Sequence, residues 1–343
     1  MQAEALSTSN VSIDHSASSA VIPGLVWAFR IHADGRSEPL DIEQPVDIRG
    51  DGLLWLHFNL ADIRAEQWIA TSALDLPGPA KALFLSKDNF QQMHTADDTV
   101  YGVISDLLRA IDRVTEETGY LRFIMTERLL FSGRYQALCS VDATRRILES
   151  GHRIGSVAEL FETIVEYVAE TMERVADRVE QDLDGIEERV LSDDTVDMRK
   201  DLGRLRRTCV RLHRQLSGLR FTFHRLEEKG DEVLKPAVRL RAGKLAQRLD
   251  ALDHTIVEMR ERSRLLQEEL QLKMEEQSNK SLHLLSVLTA LLLPPTLITG
   301  IFGMNTKGLP LTDVDSGFLW AGAMIIGSSA AAYYIMKRLG IMR

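Results

Sequence analysis

Polar side chains recur at helical spacing near the C-terminal end of the chain. The positions follow one another at steps of three and four residues: Asn279, Leu282, Ser286, Thr289, Leu293, Thr296 and Gly300. This spacing places them on one face of an α-helix, which we call the seam. Hydroxyl and carboxamide oxygens suit hard divalent cations and their bound waters. The seam therefore predicts a polar path through an oligomer, with the two leucines as apolar constrictions.

The tripeptide Gly303, Met304 and Asn305 stands where this apolar run ends. A ring of Asn305 carboxamides would offer oxygen dipoles without fixed charge, which suits a hydrated divalent cation. Gly300 and Gly303 allow neighbouring backbones to approach closely. The alternative is that the seam only packs helix against helix, while its hydroxyls donate to the carbonyl four residues earlier.

Two apolar runs are long enough to cross a membrane. Neither Asp, Glu, Lys nor Arg occurs from Ser281 to Asn305 or from Ser316 to Met336, and a hydrocarbon core of ~30 Å needs about 20 such residues. We predict spans at 281–305 and 317–336, an extracytoplasmic loop at 306–316 and a basic cytoplasmic tail at 337–343. Lysines and arginines outside the spans place both termini in the cytoplasm. A helical hairpin buried in a large soluble core is the alternative.

The rest of the chain is charged and divides into three parts. Residues 1–20 are Ser-rich, without the basic and apolar regions of a signal peptide, and predict a disordered tail. Residues 21–155 predict a cytoplasmic α/β domain, with strands at 24–31, 53–60, 99–108 and 121–132 and a helix at 63–74. Residues 156–280 predict long cytoplasmic helices. A capping box at Ser156 and Glu159 begins the first, and another runs from Pro236 into the first span. So long a helix needs neighbours, which indicates an oligomer.

Charge and cysteine content exclude some functions. The formal net charge of −9 argues against nucleic acid as a partner and suits cations. Residues 156–200 are acidic and residues 201–225 basic, which predicts an antiparallel pair of helices or a cation-collecting surface. The two cysteines lie in the cytoplasmic part, where they are expected to be reduced. The motifs of P-loop, dinucleotide-binding, zincin and nucleophile-elbow enzymes are absent from the sequence, so we predict that the protein is not an enzyme and has no cofactor.

Two small groups outside the spans could bind metal. His94, Asp97 and Asp98 lie within five residues, and Cys209 and His213 have the spacing of one helical turn. Each group lacks a full ligand set. A loop or an ordinary helix surface is the alternative for both.

The sequence LLSVLTALLLPPTLITGIFGMN, followed by a short loop, a second span and a basic tail, resembles the CorA family of metal-ion transporters. Within it, TKGLP, LLWLHFNL and EQWIATSALDLP resemble the ZntB-like zinc transporter branch. The resemblance implies an α+β cytoplasmic funnel domain, long helices leading into a two-helix transmembrane hairpin, and a homopentamer in the lipid of a bacterial inner membrane. It also implies that Gly303, Met304 and Asn305 form the selectivity filter.

The resemblance further implies transport of Zn²⁺, coupled to protons. Oxygen ligands bind Mg²⁺, Co²⁺, Ni²⁺ and Zn²⁺ alike, so a channel for Mg²⁺ or Co²⁺ is the alternative. Between Leu284 and Met304, and in the second span, the chain has no Asp, Glu or His to carry a proton. Lys307 is unexpected at the mouth of a cation pathway, and Asp313 and Asp315 can offset it by attracting ions. An alternative from another class is a membrane-anchored coiled-coil scaffold or sensor.

Overall fold

The computed structural model describes residues 21–72, 74–96, 98–109, 114–191, 198–228, 235–304 and 316–340. The chain divides into two compact units, one ending at Arg264 and the other beginning at Leu265.

Seven strands form one mixed sheet in the first unit. They are β1 (Leu25–Ile31), β2 (Ser37–Leu40), β3 (Leu53–Asn59), β4 (Gln92–Ala96), β5 (Thr99–Arg109), β6 (Val114–Met125) and β7 (Leu129–Arg134). Their order across the sheet is β2-β1-β3-β7-β6-β5-β4. β3 and β7 pair in parallel, while the other neighbours are antiparallel.

Seven α-helices accompany the sheet in the described part of the chain. They are α1 (Ile63–Thr71), α2 (Gly78–Leu85), α3 (Cys139–Glu149), α4 (Val157–Leu191), α5 (Met198–Glu228), α6 (Ala242–Phe302) and α7 (Gly317–Arg338). A 3₁₀ turn at Pro236–Val238 precedes α6. α6 begins in the first unit and ends in the second, and α7 lies in the second.

Successive side chains of the central strands point to opposite faces of the sheet, and helices cover both faces. Leu56 and Phe58 of β3 lie in the core that α1 and α2 cover, together with Phe131 of β7. On β6, Phe123 meets Phe161 of α4, with ring centroids 4.1 Å apart. Helices on both faces explain why the central strands read as nearly continuous apolar runs.

Most of the predicted central elements are present, but one strand prediction is wrong. Residues 121–132 are not one strand: they contain the end of β6 and the start of β7, an antiparallel pair with Met125 opposite Leu130. Both strands are apolar and the intervening turn has no glycine or proline, so the hydrophobic pattern does not show the reversal. The predicted helix at 63–74 is α1, which ends at Thr71.

Side chains define where the long helices begin. At the start of α4, Ser156 Oγ accepts from Glu159 N at 3.1 Å, and Glu159 Oε2 accepts from Gly155 N at 2.7 Å. This is the predicted capping box with its return bond moved by one residue. The helix predicted from Pro236 starts later, at Ala242. Buried Glu162 accepts from the Arg241 backbone N at 2.5 Å, and a carboxylate beside the first free N–H groups stabilises a helix start.

The acidic face of α4 meets bases from two helices. The predicted pairing with α5 is present where Arg204 lies 3.7 Å from Asp182. α4 also meets α6, where Arg262 Nη2 lies 2.7 Å from Asp184, and Arg241, just before α6, has its guanidinium 2.5 Å from Glu162. The sequence indicated the acidic and basic helices, but not that α6 supplies bases to α4.

We expect Asp106 to make the first unit more stable in mild acid. Burial raises the pKa of this carboxyl from 3.8 to about 6, although Ser140 N and Oγ donate to it at 3.0 and 2.6 Å. A folded pKa above the unfolded one means that the stabilising contribution is complete below pH 3.8 and is lost as the pH rises through 6. The change is about 3 kcal/mol. Thermal unfolding at several pH values, for wild type and Asp106→Asn, measures it. If the difference in stability between wild type and Asp106→Asn stays constant between pH 3.8 and 6, the predicted role of Asp106 is wrong.

Candidate cation pathway

Every seam position is solvent-exposed on α6 in the single chain. The exposed residues are Asn279, Leu282, Ser286, Thr289, Leu293, Thr296 and Gly300. Apolar side chains around them are exposed as well: Leu292, Leu293 and Leu297 are each 62% exposed. This span is therefore not the buried hairpin of a soluble core, the alternative that the sequence left open. α6 and α7 are both long and apolar enough to cross a membrane.

The seam hydroxyls donate to their own helix. Ser286 Oγ donates to Leu282 O at 2.9 Å, and Thr296 Oγ1 donates to Leu292 O at 2.7 Å. Thr289 does the same with Leu285 O. These hydrogen bonds are the ones expected if the seam only packs helix against helix. They use only the hydroxyl proton. The oxygen lone pairs remain available to accept bonds from water around a cation.

A shallow apolar groove follows the seam toward the end of α6. Thr289, Leu293, Thr296 and Gly300 lie along it, and its sides are formed by Leu292, Leu297, Ile301 and Met304. Sequence reasoning identified the centre of this face and Met304 but missed Leu292, Leu297 and Ile301. These side chains could have been found from the sequence by also taking the residues one or four positions away from each seam residue, which lie beside it on the helix surface.

The helix ends immediately before the GMN tripeptide. Phe302 is the last residue of α6, and Gly303 N donates to Thr299 O at 2.9 Å. A Cβ at position 303 would lie 3.0 Å from that same carbonyl oxygen, so glycine suits this position sterically. Met304 follows and is 52% exposed. Asn305, Lys307, Asp313 and Asp315 lie outside the described residues.

The predicted cytoplasmic metal ligands make other contacts. His94 Nε2 lies 3.0 Å from Gln92 Oε1, and Asp98 lies 3.3 Å from Lys235. Asp97 lies outside the described residues. His213 Nδ1 lies 2.7 Å from Asp253 Oδ1, while burial raises the pKa of the Cys209 thiol to about 11. In the described ranges no three potential ligands converge on one point, so both groups stay predictions.

One buried histidine is held neutral by its surroundings. His57 of β3 is fully buried, with Nδ1 2.8 Å from Ser132 Oγ and Nε2 accepting from Arg134 Nε at 3.1 Å. Burial first, and then the charge of Arg134, hold its pKa well below 6.5. A proton on Nε2 would face the arginine N–H group, so His57 is poorly suited to carry one.

Comparison with known proteins identifies the family. A family model for the CorA-like Mg²⁺ transporter protein matches residues 50–338, which is most of the chain. The chain belongs to the CorA family. It is accordingly a divalent-cation transport protein of the membrane and not an enzyme, as the sequence predicted.

Known proteins are similar to this chain over most of its length, and the solved structures among them share its fold. The zinc transport protein ZntB of Klebsiella pneumoniae is 24% identical over 92% of this chain and 96% of its own length. The full-length CmaX protein matches with a TM-score of 0.76 and 23% identity, over 92% of this chain and 98% of that one. The CorA magnesium transporter of Methanocaldococcus jannaschii matches with a TM-score of 0.64 and 18% identity, over 92% and 99%. The predicted α+β domain with long helices leading into two apolar C-terminal helices is thereby confirmed, as is the resemblance to CorA and ZntB proteins, while the homopentamer stays a prediction.

Proposed function

We propose that this CorA-family member carries Zn²⁺ into the cell through a pore that several copies of α6 line. The observation that carries the proposal is the seam. The helix has no Asp, Glu, Lys or Arg from Ser281 to Met304. The seam hydroxyls donate their protons to backbone carbonyls, which leaves their oxygens at the exposed surface as hydrogen-bond acceptors. Such a surface suits the donor waters of a hydrated cation.

The exposure of α6 supports assembly into the homopentamer that the family resemblance implies. Seam positions alternate at three and four residues, an average of 3.5, whereas a straight α-helix has 3.6 residues per turn. A seam of this period stays on one line only if the helices supercoil around a common axis. A scaffold that used the hairpin solely as an anchor would not need oxygen acceptors along this line.

The proposal assigns each part of the chain to a side of the membrane. Residues 21–155 and 156–280 form the cytoplasmic part, following the tail at 1–20. Residues 281–305 and 317–336 cross the bacterial inner membrane, and residues 306–316 lie outside it with the Asp313 and Asp315 carboxylates, which attract cations. Residues 337–343 return to the cytoplasm. Gly303, Met304 and Asn305 then face the outside and select the ion.

The choice of zinc is supported by the relatives named as zinc transport proteins. The seam chemistry supports a divalent cation without distinguishing Zn²⁺ from Mg²⁺, Co²⁺ or Ni²⁺, since its ligands are oxygens. Transport of Mg²⁺ or Co²⁺ is the second candidate function, and the family description, which names Mg²⁺, favours the magnesium version.

Flux into proteoliposomes tests the proposal. We expect purified protein to admit Zn²⁺, and to do so faster when the outside is more acidic. The internal ion is followed with a metal-sensitive dye, separately for Zn²⁺ and Mg²⁺. Protein-free vesicles and vesicles holding Asn305→Leu serve as controls.

Each result has a clear reading. If Mg²⁺ flux is independent of the pH gradient and there is no Zn²⁺ flux, the protein transports magnesium and the zinc proposal is wrong. No flux of either ion, from protein that is still oligomeric, favours the scaffold. If zinc flux is acid-stimulated, Asp313→Asn combined with Asp315→Asn tests the loop as the route of the proton; unchanged stimulation excludes it.

A further inference from the structure

A second candidate site lies in the unit that ends at Arg264, apart from the seam. It is a cavity of about 640 Å³ between α1, β6, the segment after α2 and the segment after β7. Its polar lining includes Glu66, Lys87, Asn89, Arg122 and Tyr135. The volume is in the range of sites that hold small molecules, of about 300 to 1,000 Å³.

The wall of the cavity contains a buried arginine with neutral partners. Arg122 is 1% exposed. Its Nε donates to Ser86 O and its Nη2 to Asp88 O, both at 2.8 Å, and Nη2 also reaches Asn89 Oδ1 at 3.2 Å. The guanidinium carbon lies 4.9 Å from the centroid of the Tyr135 ring.

The positive charge of Arg122 is therefore incompletely balanced. Among the described residues no carboxylate forms an ion pair with it, although the Asp88 carboxylate acts on it from a greater distance. Burial lowers the pKa of the guanidinium, because the charged form is disfavoured away from water. A buried charge of this kind is normally paired. A bound anion would supply the missing partner.

The other lining groups define the rest of the ligand. Lys87 adds an exposed second cation. Glu66 Oε1 accepts from the Tyr135 hydroxyl at 3.3 Å and can accept from a ligand as well. We infer that this cavity binds a small organic anion, with a phosphate or carboxylate toward Arg122 and Lys87 and a hydroxyl or amino donor toward Glu66. The residues that line this site belong to the unit that ends at Arg264, whereas the seam belongs to the other unit.

Calorimetric titration of the detergent-solubilised full chain tests the inference. The probes are glycerol phosphate, glycerol, inorganic phosphate and succinate. We expect glycerol phosphate to bind, glycerol not to bind at millimolar concentration, and inorganic phosphate to bind more weakly because it lacks the polyol donors. Succinate binding more tightly than glycerol phosphate would assign the carboxylate class. If inorganic phosphate binds more tightly than glycerol phosphate, the inference that the ligand is organic is wrong.

Surface variants locate the binding site without changing Arg122, whose hydrogen bonds to the carbonyls of Ser86 and Asp88 stabilise the fold. Lys87→Gln removes the exposed cation, and Ile63→Glu places a carboxylate on a lining residue that is 67% exposed. Each should weaken glycerol phosphate binding about tenfold, the scale of one charge-assisted hydrogen bond. Ile63→Gln and the distant Lys200→Gln are matched controls that should bind normally. Absence of binding in the wild type, or equal binding by all four variants, overturns the inference.

Discussion

Replacing Asn305 with leucine should lower divalent-cation flux by on the order of 100-fold or more, because leucine has similar size but no oxygen to hold an ion's water. Asn305 follows Met304 directly, just beyond the end of α6 at Phe302. The measurement is initial ion flux into proteoliposomes at matched protein content.

Asn305→Gln is the matched comparison for this change. It keeps the carboxamide but moves it by one methylene group, so flux should fall less than in Asn305→Leu. Both variants should assemble as wild type in size-exclusion chromatography with light scattering. Flux in Asn305→Leu equal to that of wild type would show that the asparagine is not part of an ion filter.

A second large effect is expected at the leucine near the middle of the seam. Leu293→Thr should raise flux by roughly tenfold, because an apolar constriction that excludes water becomes one that hydrogen-bonds to it. Leu293 is exposed in the single chain and lies in the groove between Thr289 and Thr296. The same flux assay, at low ion concentration, measures the gain.

Leu288→Thr makes the same chemical change on another face of α6. Leu288 lies five residues before Leu293, about 140° around a helix with 3.6 residues per turn. Its side chain is also exposed in the single chain. If Leu288→Thr and Leu293→Thr increase flux equally, the seam does not line the pathway and the gain reflects a general loosening of the helix.

The sheet shows which elements could be predicted from local pattern. β1, β3 and β5 were predicted because they are apolar runs bounded by turn residues. The edge strands β2 and β4 were missed: SEPL and QMHTA are short and polar, as edges commonly are. α3 was also missed, although it is amphipathic, because it follows β7 with few intervening residues.

The second unit was easier to predict than the first. A hydrocarbon layer requires a minimum length and almost no charge, and these demands are visible residue by residue from Ser281 onward. The seam followed from spacing alone. Its hydroxyl bonds did not, because spacing does not distinguish a hydroxyl that donates to its own helix from one that donates outward.

By itself, the sequence determined the two apolar spans, the seam with its terminal GMN tripeptide, and the absence of familiar enzyme motifs, because each depends on neighbours along one helix or on short motifs. Only the tertiary structure decided which distant groups meet. The parallel pairing of β3 with β7 places Leu54 opposite Leu129. Folding also brings Arg122 to the carbonyls of Ser86 and Asp88. Such contacts arise from packing across dozens of residues, which local periodicity does not encode.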